Sequence, residues 1–360
     1  MWPERRLLDL LGTEHPIVQA PMAGAMDAAL VIAACEGGAL GSLPCAMLSP
    51  DKLRSEVARI RARVSAPFNL NFFCHATATP DPEREARWRT RVAAYYFEYG
   101  VDIASIAPAA GRAPFDAVTL AVVQELRPRV VSFHFGLPAA PLLAAVKALG
   151  CVVLSSATTV REARWLEAHG ADAIIAQGAE AGGHRGMFLT DRASEQPGTF
   201  ALVPQVADAV KVPVIAAGGI ADGRGIAAAL ALGAAGVQLG TAYLKCPEAT
   251  IGAPFRAALA GATDESTAIT NVMTGRPARG IVNRAIRELG PLSPDAPPFP
   301  SAAGPLAPLR AAAEQAGLSD FTPLWAGQAA ALGRALPAAA LTRALARDAL
   351  ARMGRALPPP

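Results

Sequence analysis

Residues 213–241 read PVIAAGGIADGRGIAAALALGAAGVQLGT. Two apolar runs, Pro213–Gly218 and Gly236–Thr241, flank a stretch, Gly223–Leu232, whose apolar residues recur at helical spacing. Neither run alternates polar with apolar residues, as expected of strands covered on both faces. Buried strand, helix and buried strand in so short a span make the crossover unit of a parallel sheet. Glycines close both runs, so the backbone can turn sharply and pass close to a ligand there.

Working outward, the same unit recurs. Further apolar runs are Ile17–Met22, Ala39–Pro44, Phe68–Phe73, Val130–Phe135, Cys151–Ser156 and Ala173–Gly178. Most are followed by amphipathic stretches such as Val160–His169. Eight strands alternating with helices predict an α/β fold, a closed (β/α)8 TIM barrel. Two links are long. The link after Phe73 holds a charged stretch, Thr79–Arg91, and another apolar run, Val101–Pro108, which competes as a ninth strand. The link after Gly178 carries Glu180-Ala181-Gly182-Gly183-His184-Arg185-Gly186 and a polar loop to Thr199. Long loops after the C-terminal ends of strands are where barrels keep their chemistry.

Beyond Thr241 the pattern changes. A helix is expected around 252–262, a non-periodic piece over Asn271–Arg287, a Pro-rich linker over Pro291–Pro308, and Ala-rich helices from Leu309 to about Leu357. Pro358–Pro360 should be loose. The expected organisation is a barrel over 1–245 and a C-terminal helical appendage over 246–360 that covers the mouth and forms part of the substrate site.

Composition narrows the class. The chain is 52% hydrophobic and 18% charged, enough apolar residue for a sizeable core. The net charge of +3 is spread along the chain rather than clustered, which argues against a nucleic-acid partner. Five cysteines, none in a C-x-x-C pair, read as reduced thiols of a cytoplasmic protein. No long unbroken apolar stretch calls for a membrane. No H-E-x-x-H or Cys/His cluster points to a metal, and no G-x-S-x-G, Walker A or strand-linked G-x-G-x-x-G occurs.

The candidate chemistry gathers at strand ends. Gly218-Gly219 closes one strand and Gln238-Leu239-Gly240-Thr241 the next. Glycines on the last two strands are the usual phosphate clamp of a barrel, and the Thr241 hydroxyl is a further donor. Tight strand–helix turns alone are the plainer reading, and the residues do not separate FMN from a sugar phosphate. Gln177 ends the preceding strand, where an amide matches the donor and acceptor edge of a flavin ring. The Gly182-Gly183 pair lets a planar ligand pass and sets His184 above it. An imidazole there suits proton abstraction or anion stabilisation. His134, inside Val130–Phe135, reads equally as a substrate contact and as a satisfied core histidine. Asn69 and Asn71 share one face of their strand and need partners. His75 reads as loop.

Taken in order, these pieces resemble the bacterial nitronate monooxygenases, formerly called 2-nitropropane dioxygenases. The matching blocks include Gln19-Ala20-Pro21-Met22, Phe68-Asn69-Leu70-Asn71, Ser132-Phe133-His134-Phe135-Gly136 and the Gln177–Gly186 run. They continue through Val214–Gly225, Gly236–Thr241, Gly275–Gly280 and Leu324–Gln328, spanning nearly the whole chain. The resemblance implies an FMN enzyme, without metal or nicotinamide, that oxidises alkyl nitronates with O2 to carbonyl compounds and nitrite. Neutral nitroalkanes are possible further substrates. It implies that His184 is the base or anion stabiliser; His134, by its place in the strand, is the expected substrate contact. It implies flavin contacts at Asn69, Gln177, Gly182, Gly219 and Gln238–Thr241, with Met22 by the ring; their neighbours Ala20, Pro21, Gly183 and Gly218 are expected to bind the cofactor too. A monomer or homodimer is expected. The chain departs from the family at Thr274, where Ser is common, and at Ala107–Ala110, where relatives can bring a tyrosine to the substrate. The same flavin motifs occur in NAD(P)H-dependent quinone and enoyl reductases, which stand as alternatives beside a flavin-free phosphate-binding barrel.

Overall fold

All eight apolar runs are parallel strands of one sheet; the structure is a computed structural model describing residues 1–107 and 112–356. In chain order they are β1 (Ile17–Gln19), β2 (Gly41–Pro44), β3 (Phe68–Phe73), β4 (Val130–His134), β5 (Val152–Ala157), β6 (Ala173–Gln177), β8 (Val214–Ala217) and β9 (Gly236–Leu239). A two-residue strand, β7 (Gly183–His184), belongs to a separate sheet. The order around the large sheet is β1-β9-β8-β6-β5-β4-β3-β2. Its ends meet through a parallel bridge between Val18 and Leu40. There the Gln19 N–H donates to the Leu40 carbonyl and the Leu40 N–H to the Ile17 carbonyl, each at 2.9 Å. The sheet is therefore a closed barrel. The run Val101–Pro108 adds no strand among its described residues; Ile103–Ser105 is a short 3-10 turn. Pro108–Ala110 and Pro358–Pro360 lie outside the described residues.

Helices start where the sequence supplies caps. Asp222 accepts from the Arg224 and Gly225 N–H groups at the head of helix 223–231, and Thr159 accepts from the Glu162 N–H before helix 160–168.

The C-terminal segment departs from the expected appendage in two ways. It contains β10 (Thr267–Thr270) and β11 (Ala278–Ile281), which with β7 form a three-stranded antiparallel sheet. Ala278 pairs with His184 and Arg279 with Gly183, so the loop after β6 is stitched to the C-terminal segment. A strand this short carries no readable periodicity, which is why it escaped the sequence. Helix 338–352, expected over the mouth, instead packs on the outer helices 28–36 and 223–231. Its Leu341, Leu345, Ala346 and Leu350 join the barrel's main core. It takes the outer position due to the helix after β9, delayed by an inserted stretch. The Ala-rich face that fits this groove is visible in sequence, but its docking site is not.

The insert has a core of its own. Trp88, Val92, Tyr95 and Tyr96 of helix 82–98, from the long β3 link, pack with Val272, Ile286, Leu306 and Phe321. The Tyr96 hydroxyl donates to the Pro305 carbonyl at 2.6 Å, and Trp88 Nε1 to the Ala302 carbonyl at 3.1 Å. The charged stretch after Phe73 thus carries a helix that anchors the inserted segment.

Candidate active site

A cavity of about 640 Å³ opens at the C-terminal ends of the barrel strands, within the roughly 300–1,000 Å³ of small-molecule sites. One wall is mostly backbone. Ala20, Pro21 and Met22 follow β1, Gly218 and Gly219 follow β8, and Gln238, Gly240 and Thr241 come from β9 and its turn. Gly218 has φ 112° and Gly219 φ 69°, conformations that side chains disfavour. A Cβ on Gly218 would lie 2.9 Å from both the Ala181 nitrogen and Thr199 Oγ1. Thr241 Oγ1 accepts from the Gly327 N–H at 2.9 Å, leaving its hydroxyl proton to be donated elsewhere. The Oε1 of Gln238 is buried without a partner.

Two expected contributors to this wall stand elsewhere. Leu239 points away from the cavity into the barrel's main core, because alternate residues of a strand face opposite ways. Asn69 shares the inward face with Asn71 but sits one pleat deeper. Asn71 lines the cavity and Asn69 does not. The Nδ2 of Asn69 donates to Ser42 Oγ and Ser132 Oγ, while its Oδ1 is buried without a partner.

The other wall is built around the loop after β6. Gly182 passes so close to the C-terminal segment that a Cβ would lie 2.5 Å from the Gly327 nitrogen. Gly183, at φ 76°, turns the chain into β7. The His184 carbonyl accepts from Gln177 Nε2 at 2.9 Å and pairs with His134 Nε2 at 3.2 Å. A carbonyl only accepts, so His134 carries its proton on Nε2, and its Nδ1 accepts from the Ser156 hydroxyl at 3.1 Å. Burial, opposed by the His184 carbonyl and helped by Arg276 and Arg185, pushes the His134 pKa down to about 3. His134 lines the cavity, yet both ring nitrogens serve the protein. Gln177 likewise accepts from the Gly186 N–H at 2.7 Å, so its amide braces the loop from inside. Arg185 is fully buried and donates to Gln196 and to the Gly178 and Gln177 carbonyls, stapling the same loop to the end of β6.

This bracing fixes the His184 ring. Its Nε2 lies 2.9 Å from Thr274 Oγ1. Phe299, Trp325 and Phe135 surround it at centroid distances of 5.5, 5.3 and 6.1 Å. Burial holds its pKa well below the ordinary 6.5, and Arg112, His134, Arg276 and His75 act in the same direction. His184 is therefore neutral around pH 7. His75, read as loop, is buried edge-on to Phe299 at 4.9 Å, with its pKa lowered mainly by burial.

Sequence reasoning missed Arg112, Thr274, Arg276, Phe299 and Trp325 as neighbours of His184. Arg276 and Trp325 lie in blocks quoted for the resemblance, and Thr274 stands next to one as a departure from it, which was the available signal. Arg112 and Phe299 belong to no motif. Arg276 lies 4.0 Å over the Phe135 ring and donates to the Met187 carbonyl. Arg112 lies 5.5 Å over the Phe299 ring.

A parallel barrel with a ligand-sized cavity at its C-terminal strand ends, and a neutral imidazole held in that cavity, is the architecture of an enzyme. The family model described as nitronate monooxygenase matches residues 4–348. A nitronate monooxygenase of Paraburkholderia phytofirmans is 45% identical over 348 residues, 96% of this chain and 95% of that protein. A nitroalkane oxidase from Streptomyces ansochromogenes superposes with a TM-score of 0.88 at 39% identity, covering 97% of this chain and 99% of that one. FabK from Thermotoga maritima superposes with a TM-score of 0.72 at 26% identity, covering 98% of each. The chain belongs to the nitronate monooxygenase family of oxidoreductases.

Proposed function

We propose that this enzyme binds FMN across the barrel mouth and oxidises small alkyl nitronates with O2, giving a carbonyl compound and nitrite. The observation that carries the reading is the neutral His184 ring in a cavity whose other wall is a glycine backbone. The residues present fit a flavin nucleotide. Gly218, Gly219, Gly240 and Thr241 leave room for a phosphate with no side chain beyond the Thr241 hydroxyl. The unpartnered Gln238 Oε1 needs a donor, which a flavin ring N–H supplies. Asn71, rather than Asn69, is the asparagine in reach of a ligand.

Bound FMN supplies the electron acceptor and the route to oxygen. The protein does the rest. A nitronate needs no proton removed, so the wall around His184 has only to hold the anion and keep water out, for which Phe135, Phe299 and Trp325 are suited. A neutral nitroalkane must first lose a proton from its α-carbon. His184 takes it at Nδ1, because Thr274 occupies Nε2. In the tautomer this role requires, Nε2–H donates to Thr274 Oγ1, which can accept it, and Nδ1 is left basic. Gln177, His134 and Ser156 position the loop without touching the reacting atoms.

Five free cysteines, four of them buried, fit a reducing cytoplasm, and no described helix is long and apolar enough to cross a membrane. The test is spectroscopic. Purified protein should show flavin absorbance, and anaerobic mixing with ethyl nitronate should bleach it while NADH does not. A colourless protein, or rapid bleaching by NADH, overturns the reading; the latter outcome favours a nicotinamide-dependent reductase on the same barrel.

A further inference from the structure

The substrate in this reading is an anion, yet none of the imidazoles near it offers charge at neutral pH. His184 and His75 are buried with lowered pKa values, and His134 has both nitrogens engaged. The anion needs a permanent cation. Three guanidinium groups stand close enough to consider. Arg276 donates to the Met187 carbonyl and covers the Phe135 face, and although its Nε is buried without a partner it does not line the cavity. Arg310 lines it but is exposed and paired with Glu314 at 2.7 Å. Arg112 lines the cavity, is half-buried, and among the described residues has no carboxylate or carbonyl on its guanidinium. It is also the strongest of the charges acting on His184.

We infer that Arg112 is the anion anchor of the substrate pocket, gripping the paired oxygens of the nitronate group beside His184. The inference rests on the proposed reaction and deepens it. A guanidinium presents two parallel N–H groups that match two oxygens on one nitrogen. The Phe299 ring lies 5.5 Å from the Arg112 guanidinium and 5.5 Å from the His184 ring centroid, so both groups border the same aromatic ring. A cation drawn from water without a partner is costly, and the substrate brings the partner. The chain enters the cavity just before Phe115, whose N–H donates to the Phe73 carbonyl at 2.7 Å, so Arg112 is tethered to the end of β3. This makes Arg112 a specificity residue that favours anionic nitronates over neutral nitroalkanes.

The test uses Arg112→Gln and Arg112→Lys in the flavin-loaded full chain. Calorimetric titration with nitrate reads anion binding without turnover, and steady-state kinetics compare ethyl nitronate with nitroethane. Arg112→Gln should weaken nitrate and raise KM for ethyl nitronate by about tenfold. The same variant should change kcat for ethyl nitronate by less than about threefold and KM for nitroethane by less than about twofold, the pattern of a lost binding contact. Arg112→Lys keeps the charge and should recover part of the loss, which separates charge from folding. Unchanged nitrate binding, or an equal rise in KM for both substrates, overturns the inference. If the parent enzyme oxidises no nitronate, the proposed function fails, while the nitrate titration still decides what Arg112 does.

Discussion

The cavity's two walls differ in what they are made of. The wall from β1, β8 and β9 offers glycine backbone, a threonine hydroxyl and one unpartnered amide oxygen. The wall around His184 is drawn from scattered segments: Arg112 from the β3–β4 link, His184 on β7 and Trp325 from the insert line it, while Phe135 after β4 and Thr274 and Phe299 from the insert contact the His184 ring. The first wall is built on the ends of the closed sheet, and at Gly218 an added Cβ would meet the Ala181 backbone nitrogen at 2.9 Å. The second hangs on loops and can change residue by residue while the barrel stays intact. Cofactor retention and substrate handling should therefore separate under mutation.

The largest effect is expected at the centre of the side-chain wall. His184→Asn should lower kcat/KM for nitroethane by about 100-fold or more, as expected for a lost general base, while the protein keeps its flavin spectrum. Loss of flavin together with activity would erase the distinction between the walls. Gly218→Ala tests the other side. Placing a side chain at φ 112° beside the Ala181 nitrogen should cost flavin affinity about tenfold or more, read by fluorescence titration. Unaltered affinity would mean that this wall is not the flavin's.

Acid should act on the side-chain wall first. Burial holds His134 at about 3 and His184 well below 6.5, so the unfolded chain takes up protons before the folded one as pH falls. Stability is complete above pH 6.5 and is lost below it, by about 1.4 kcal/mol per pH unit for each imidazole kept neutral. Urea midpoints at pH 7.5 and 5.5 check this, and equal midpoints would contradict the burial of neutral rings. The smallest effect concerns tautomer control. Thr274→Val should reduce kcat/KM for nitroethane about fivefold, the weight of one hydrogen bond, and leave ethyl nitronate turnover nearly as it was. An equal loss on both substrates would assign Thr274 to shape rather than to the base.

Much of this was legible in the residues, and the failures have physical reasons. The barrel strands fall where the unbroken apolar runs lie, since burial on both faces leaves that trace. Gly182 and Gly218 announced themselves because only glycine tolerates those close approaches, and Gly219 because its φ is positive. Asn69 came from the resemblance; period-two alternation puts Asn69 and Asn71 on one face but does not tell which stands higher in the barrel, and Asn71 is the one that lines the cavity. His134 was read as either substrate contact or core histidine; it lines the cavity while both ring nitrogens bond to the protein, partners visible only once Ser156 and the His184 carbonyl are beside it. Helix 338–352 looked like part of a cover because amphipathicity shows that a helix will dock, not against what.

By itself the sequence determined the alternation of strand and helix, the glycine turns at the strand ends and the presence of an imidazole among them. Those features rest on local sterics and on burial, which act within a few residues and so are written in order along the chain. Tertiary structure alone decided that Thr274 would hold the Nε2 of His184, ninety positions away, and that Arg112 would reach the same cavity. Such meetings depend on how loops from different strands fold back over one opening, and no period in the chain encodes that distance.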